Sequence, residues 1–160
     1  MQTMNEITLL NTVAARTSYR HLADEQLDDA ANKLVQYFTG DKLLIIYRIS
    51  KGKLYDTENQ LELPLTALPW LKDTIINGFW RQPSAGGLPK DQHSVAATFS
   101  GEEILLGRSM NAGDYAKPGF KIVNKSRKSH IMASRPQEFQ ITDERVESVL
   151  LPLLSQLGIT

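Results

Sequence analysis

The spacing of apolar positions changes several times along the chain, and each change marks an element. Over residues 5–15, Ile7, Leu10, Val13 and Ala14 recur at helical spacing. Residues 17–22 read as a break. Leu27, Ala30, Ala31, Leu34, Val35 and Phe38 then follow the i, i+3, i+4, i+7 rule, which predicts a helix over 24–38. Asp24 and Glu25 suit its positive end, and Gly40 its stop. Residues 42–50 carry the nearly continuous apolar run Leu43-Leu44-Ile45-Ile46-Tyr47, as in a strand covered on both faces. Lys51-Gly52 supplies a turn, residues 53–56 start a return strand, and Leu61, Leu63 and Leu65 alternate as in a short edge segment. Pro69 opens a helix whose buried side is Trp70 or Leu71, Ile75, Ile76 and Phe79. Residues 83–90, rich in Gly and Pro, form a loop. Residues 95–99 and 104–110 pair as a hairpin across Ser100-Gly101-Glu102. After a loop over 111–119, weaker strands are expected at 120–124 and 130–133. Thr142 caps a last helix whose apolar side is Val146, Val149, Leu150, Leu153, Leu154 and Leu157. Pro152 inside it predicts a kink or restart, and Gly158 ends it.

This order predicts an α+β fold, a mainly antiparallel sheet flanked by N- and C-terminal helices. Residues 1–160 form a single domain, long enough to bury its own core, with a basic loop or hairpin at about 113–135. No internal repeat is visible.

Charge narrows the partners. Eighteen basic residues balance eighteen acidic ones, which argues against a dedicated nucleic-acid binder. The absence of cysteine excludes disulfides, thiolate nucleophiles and Cys-ligated zinc. The first ten residues do not resemble a signal peptide, and no apolar run is long enough to span a membrane. A cytoplasmic protein without a membrane partner is therefore expected.

Candidate chemistry is sparse. Gly86-Gly87-Leu88-Pro89-Lys90 lacks the spacing of a phosphate-binding loop, and its glycines read as turn residues. His21, His93 and His130 lie far apart without metal-ligand spacing. His93 abuts the glycine loop and is followed by Ser94, but no nucleophile motif surrounds the pair. Trp70, Phe79 and Trp80 read either as core or as a flat apolar wall. Arg81 beside them offers a fixed positive charge. Residues 116–137 hold Lys117, Lys121, Lys125, Arg127, Lys128, His130 and Arg135 with no acid among them. The segment reads as a solvated turn with edge lysines, or as a grip on phosphates or an acidic partner.

Four stretches together resemble a GAF sensor domain. They are residues 24–49, a helix and central strand; residues 68–80, a helix ending in Gly-Phe-Trp; residues 94–107, two strands about a turn; and Ile141-Thr142-Asp143-Glu144-Arg145 leading into an apolar helix. The basic stretch 113–135 and Pro152 depart from that family's pattern, and no bilin-attaching cysteine is present. The resemblance implies a sensor-like fold.

The leading expectation is a non-catalytic regulatory domain that binds a small molecule or a protein partner. Its ligand would lie beside Trp80, Arg81, His93 and Trp70. The alternative is an interaction or accessory protein that contacts nucleic acid or an acidic partner through Lys121, Lys125, Arg127, Lys128 and Arg135. No cofactor, metal or catalytic residue is expected. A homodimer seam would use Leu150, Leu153 and Leu157, for which the chain's own core is the favoured role.

Overall fold

In the computed structural model, which describes residues 6–27, 32–114 and 116–159, the chain forms two antiparallel sheets of four strands each. After a single turn of helix, α1 (Val13–Arg16), the first sheet is a meander of β1 (Arg20–Leu27), β2 (Lys33–Gly40), β3 (Leu43–Ser50) and β4 (Thr57–Pro64). It leads into α2 (Leu68–Asp73), which widens into a π-type turn over Thr74–Phe79. The second meander is β5 (Ser94–Phe99), β6 (Glu102–Ser109), β7 (Gly119–Lys128) and β8 (Pro136–Thr142). It ends in α3 (Asp143–Arg145), a π-type turn Val146–Leu150 and α4 (Leu151–Gln156). The α+β class stands. The chain thus repeats one order, four strands and then a helix, with no visible repeat in its sequence.

Local chemistry explains the tight connections. Asp41 and Lys42, at φ of 52° and 63°, form the two-residue link between β2 and β3. Ser100 and Gly101, at 52° and 80°, link β5 to β6 in the same way. Two left-handed residues in succession match the twist of a two-residue hairpin. Thr142 accepts a hydrogen bond from Arg145 N and caps the last helix. Pro152 sits in the first turn of α4, where its missing N–H costs nothing, so the helix restarts there as expected. Gly158, at φ 84°, closes it with Ile159 N donating to Leu154 O.

One large core joins both halves. Val35, Tyr37, Leu44, Ile46, Leu61 and Leu63 of the first sheet meet Ile104, Leu106, Phe120, Ile122, Phe139 and Ile141 of the second. Leu68, Leu71 and Ile75 of one helix and Val146, Leu150, Leu153 and Leu154 of the other complete it. The opposite face of the first sheet has its own smaller core, in which Ile7 and Leu10 cover Phe38, Leu43, Ile45 and Tyr47. This double coverage is the reason β3 is apolar at every position from Leu43 to Tyr47.

Several expected elements differ. The helix expected over 24–38 is instead β1 and β2, with residues 28–31 outside the described residues. Val35 and Tyr37 face the large core, while Gln36 and Phe38 face the small one. Burial on both faces removes the strand alternation and leaves a pattern that mimics a helix. Aromatic and β-branched side chains then favour the strand. The helix over 5–15 shrinks to α1. Ile7 and Leu10 are buried from an extended segment, pinned where Leu10 N donates to Gln60 Oε1 and Gln60 Nε2 donates to Thr8 O. The break at 17–22 is shorter, since β1 begins at Arg20. The return strand begins at Thr57 rather than over 53–56. Residues 130–133 are a turn, and β7 runs on to Lys128. The strand that follows is β8, whose Phe139 and Ile141 alternate with Glu138 and Gln140.

Candidate functional site

The exit of α2 builds an open cleft. Trp80 N donates to Ile75 O, the wide spacing of the π-type turn, and this swings Arg81 out of the helix. Gln82 O then accepts from both Ala85 N and Gly87 N, and Leu88 N returns to Gly78 O. Gly87 is required here, because a Cβ would lie 1.9 Å from Arg81 O. The loop so folded faces His93 and β6 across a cavity of about 330 Å³, lined among others by Trp80, Arg81, Lys90, His93 and Arg108. No carboxylate is among its lining residues.

The inner wall is fixed by one acid. Arg108 makes a two-pronged contact with Asp143, at 2.5 and 2.8 Å, while its guanidinium lies 4.7 Å from the centre of the Phe120 ring. Trp80 Nε1 donates to the same carboxylate at 3.1 Å. Burial alone would raise the Asp143 carboxyl, but the hydrogen bonds from Arg108 and Trp80 outweigh it and hold it below its ordinary value. Trp80 is consequently half-buried and fixed, with its ring 6.2 Å from Phe120. Arg81 is exposed and reaches back to Asn77 Oδ1 one turn earlier. His93 is exposed, and its carbonyl accepts from Arg108 N at 2.8 Å.

Three of the four residues expected at a ligand site, Trp80, Arg81 and His93, therefore share one cavity. Trp70 does not line it; it packs on Phe99 with ring centres 5.3 Å apart. Arg108 and Asp143 were not foreseen. Arg108 is the only basic residue of β6, a sign that could have singled it out.

No known family's model and no curated protein matches the chain.

The basic segment divides. Lys121 and Lys125 belong to β7 and are partly exposed, each 3.8 Å from a carboxylate of a neighbouring strand, Glu138 and Glu103. Lys128 and Arg135 are exposed. Arg127, in contrast, is buried. Its Nε donates to Glu102 at 2.6 Å and its Nη1 to Glu62 at 3.3 Å. Glu62 also receives His130 Nε2 at 2.7 Å, Gln60 at 2.8 Å and Gln137 at 2.9 Å. Burial would raise the Glu62 carboxyl, but these hydrogen bonds, led by that of His130, bring it below the ordinary glutamate value.

These groups form a joint between the sheets. β4 is the last strand of its sheet, and its outward backbone is met by side-chain amides: Gln137 Oε1 accepts from Glu62 N, and Asn124 Nδ2 donates to Glu62 O. Asn59 Nδ2 answers with a hydrogen bond to Glu138 O. Each carboxylate is engaged by several donors, which ties the two sheets together at this joint. Glu62 and Glu102 escaped notice in the sequence because each is one glutamate in an alternating strand.

Leu150 and Leu153 are buried in the chain's own core and Leu157 packs against it, which is the role favoured for them. Among the described residues there is no cluster of three His, Cys, Asp or Glu able to hold a metal. Among the same residues, no helix is long and apolar enough to cross a membrane.

Proposed function

We propose that the protein is a non-catalytic, sensor-like binding domain whose cleft at the exit of α2 holds a small anionic molecule with a flat apolar part. One observation carries the reading: Trp80, Arg81, His93 and Arg108 converge on one cavity with no carboxylate among its lining residues. Arg81 pairs with the anionic group, Trp80 supplies a rigid wall and His93 a hydrogen bond. The volume of about 330 Å³ is in the range of small-molecule sites. The GAF-like resemblance adds the expectation of a ligand beside this loop, and nothing about its identity.

A thermal-shift series with small aromatic carboxylates and phosphate esters tests the reading. A ligand at one hundred times its Kd should stabilise the protein by about 2.7 kcal/mol. Arg81→Ala should weaken that ligand about tenfold or more without lowering the stability of the free protein, because Arg81 is exposed. Trp80→Phe keeps an aromatic face but loses the Nε1 bond to Asp143, and it should weaken the ligand less than Arg81→Ala does. Equal binding by Arg81→Ala, or no stabilising ligand in the series, overturns the proposal.

A further inference from the structure

A second groove lies between the border of the second sheet and the helix that precedes it. β5 is the last strand on its side of that sheet. Arg108 N donates to His93 O, and antiparallel pairs alternate between bonded and non-bonded. Val95, Ala97 and Phe99 therefore turn their backbone toward β6, opposite Leu106, Ile104 and Glu102. Ser94, Ala96 and Thr98 turn theirs outward. Gln92 Nε2 donates to Ser94 O at 3.4 Å. Among the described residues, no hydrogen bond from another element reaches the backbone of Ala96 or Thr98.

The helix runs antiparallel to β5 along this border. At its start Trp70 packs on Phe99, and Thr66 Oγ1 lies 2.8 Å from Ser100 Oγ. Further on, Thr74, Asn77 and Arg81 face Val95 and Leu88 across an open space of about 400 Å³. The charges along it are ordered. Asp73 lies toward the Phe99 end, and Arg81, which also borders His93, toward the Ser94 end. Eight positions separate them, roughly 12 Å at helical rise. Asn77 sits between, donating to Asp73 Oδ1 at 2.7 Å and accepting from Arg81 Nη2 at 2.5 Å. Among the described residues, neither charge meets an opposite one.

We propose that this groove takes an extended peptide segment of another protein, which adds a strand beside β5. Its backbone pairs with the outward N–H and C=O groups of Ala96 and Thr98. The segment runs antiparallel to β5. It carries a basic side chain for Asp73, an acidic one four residues later for Arg81, and an apolar one midway to meet Val95 and Leu88. Four residues of strand span about 13 Å, which matches the separation of the two charges. Side chains two and four apart share one face, so all three point at the helix. The inference goes beyond the small ligand of the cleft and does not require it, although Arg81 lines both spaces.

The probe is the capped peptide Thr-Lys-Thr-Val-Thr-Glu-Thr, and the control exchanges its Lys and Glu. Added at millimolar concentration to the isotope-labelled full chain, the probe should shift the amide resonances of Ala96 and Thr98 and slow their hydrogen exchange. At low salt it should bind about threefold or more tighter than the control, as two exposed ion pairs predict. Ala96→Pro removes an outward N–H and spares the ladder to β6, so it should weaken the probe about fivefold or more. Arg81→Glu, at an exposed position, should erase or reverse the preference between the two peptides. The proposal is overturned if the probe leaves both amides unmoved, if probe and control bind equally, or if a folded Ala96→Pro binds as well as the parent. An unchanged preference in Arg81→Glu overturns it as well. So does a shift of the two amides with protein concentration alone, which would make the occupant a second copy of this chain.

Discussion

Glu62 is a charge taken out of water and held by hydrogen bonds. Its carboxyl is lowered in the folded protein, so it favours folding above its ordinary value of 4.5 and loses that contribution as the pH falls through the depressed one. Asp143, lowered by Arg108 and Trp80 against the effect of burial, acts with the same sign. Urea midpoints should therefore fall steeply on the acid side of pH 4.5. Glu62→Gln keeps the shape but removes one carboxylate from Arg127, which keeps Glu102, and it disturbs the bond to His130. It should cost about 1–3 kcal/mol near neutrality, since the buried donors around position 62 lose a charged acceptor. It should also flatten the acid limb, because the group that titrates there is gone. An unchanged acid limb would show that another carboxylate dominates it.

At the scale of elements, the link between β2 and β3 is the least suited to its residues. Lys42 holds a φ of 63°, which a side chain with a Cβ adopts at a cost, whereas the equivalent place between β5 and β6 is Gly101. Lys42→Gly should stabilise the protein by about 0.5–1 kcal/mol, read from the chemical denaturation midpoint. Legibility differed between elements for a related reason. β3, the hairpin of β5 and β6, the Pro69 helix and the Thr142 cap were readable, because each is announced by local chemistry. The stretch 24–38 was not, because its helical period arises from two separate cores touching alternate faces of β2. Trp80, Arg81 and His93 were readable as a group because they bracket one loop. Glu62, Glu102 and Asn124 were not: Glu62 lies 65 positions from Arg127, a partner that only the folded chain supplies.

For the whole molecule, the repeated order of four strands and a helix suggests two separable units, but the interior says otherwise. The main core draws on both sheets and both helices. Glu25 of β1 takes a two-pronged contact from Arg145 across 120 positions, at 2.6 and 2.8 Å. Each half alone would expose most of its apolar face to water. Fragments divided between residues 92 and 93 should each lack a cooperative thermal transition, and the intact chain should unfold in one step by both circular dichroism and tryptophan fluorescence. A fragment that melts cooperatively on its own would show the halves to be independent.

The amide seal along β4 bears on how copies of this chain meet one another. Four strands end the two sheets, β1, β4, β5 and β8. The first pair of neighbours, β4 and β8, spend their outward backbone on each other's side chains. β1 carries Arg20, His21, Asp24 and Glu25, charges that discourage stacking of strands from different molecules. β5, Ser-Val-Ala-Ala-Thr-Phe, carries none. Aggregation under stress should therefore start at β5, and a single lysine at Thr98 should delay it more than any change at the other three borders.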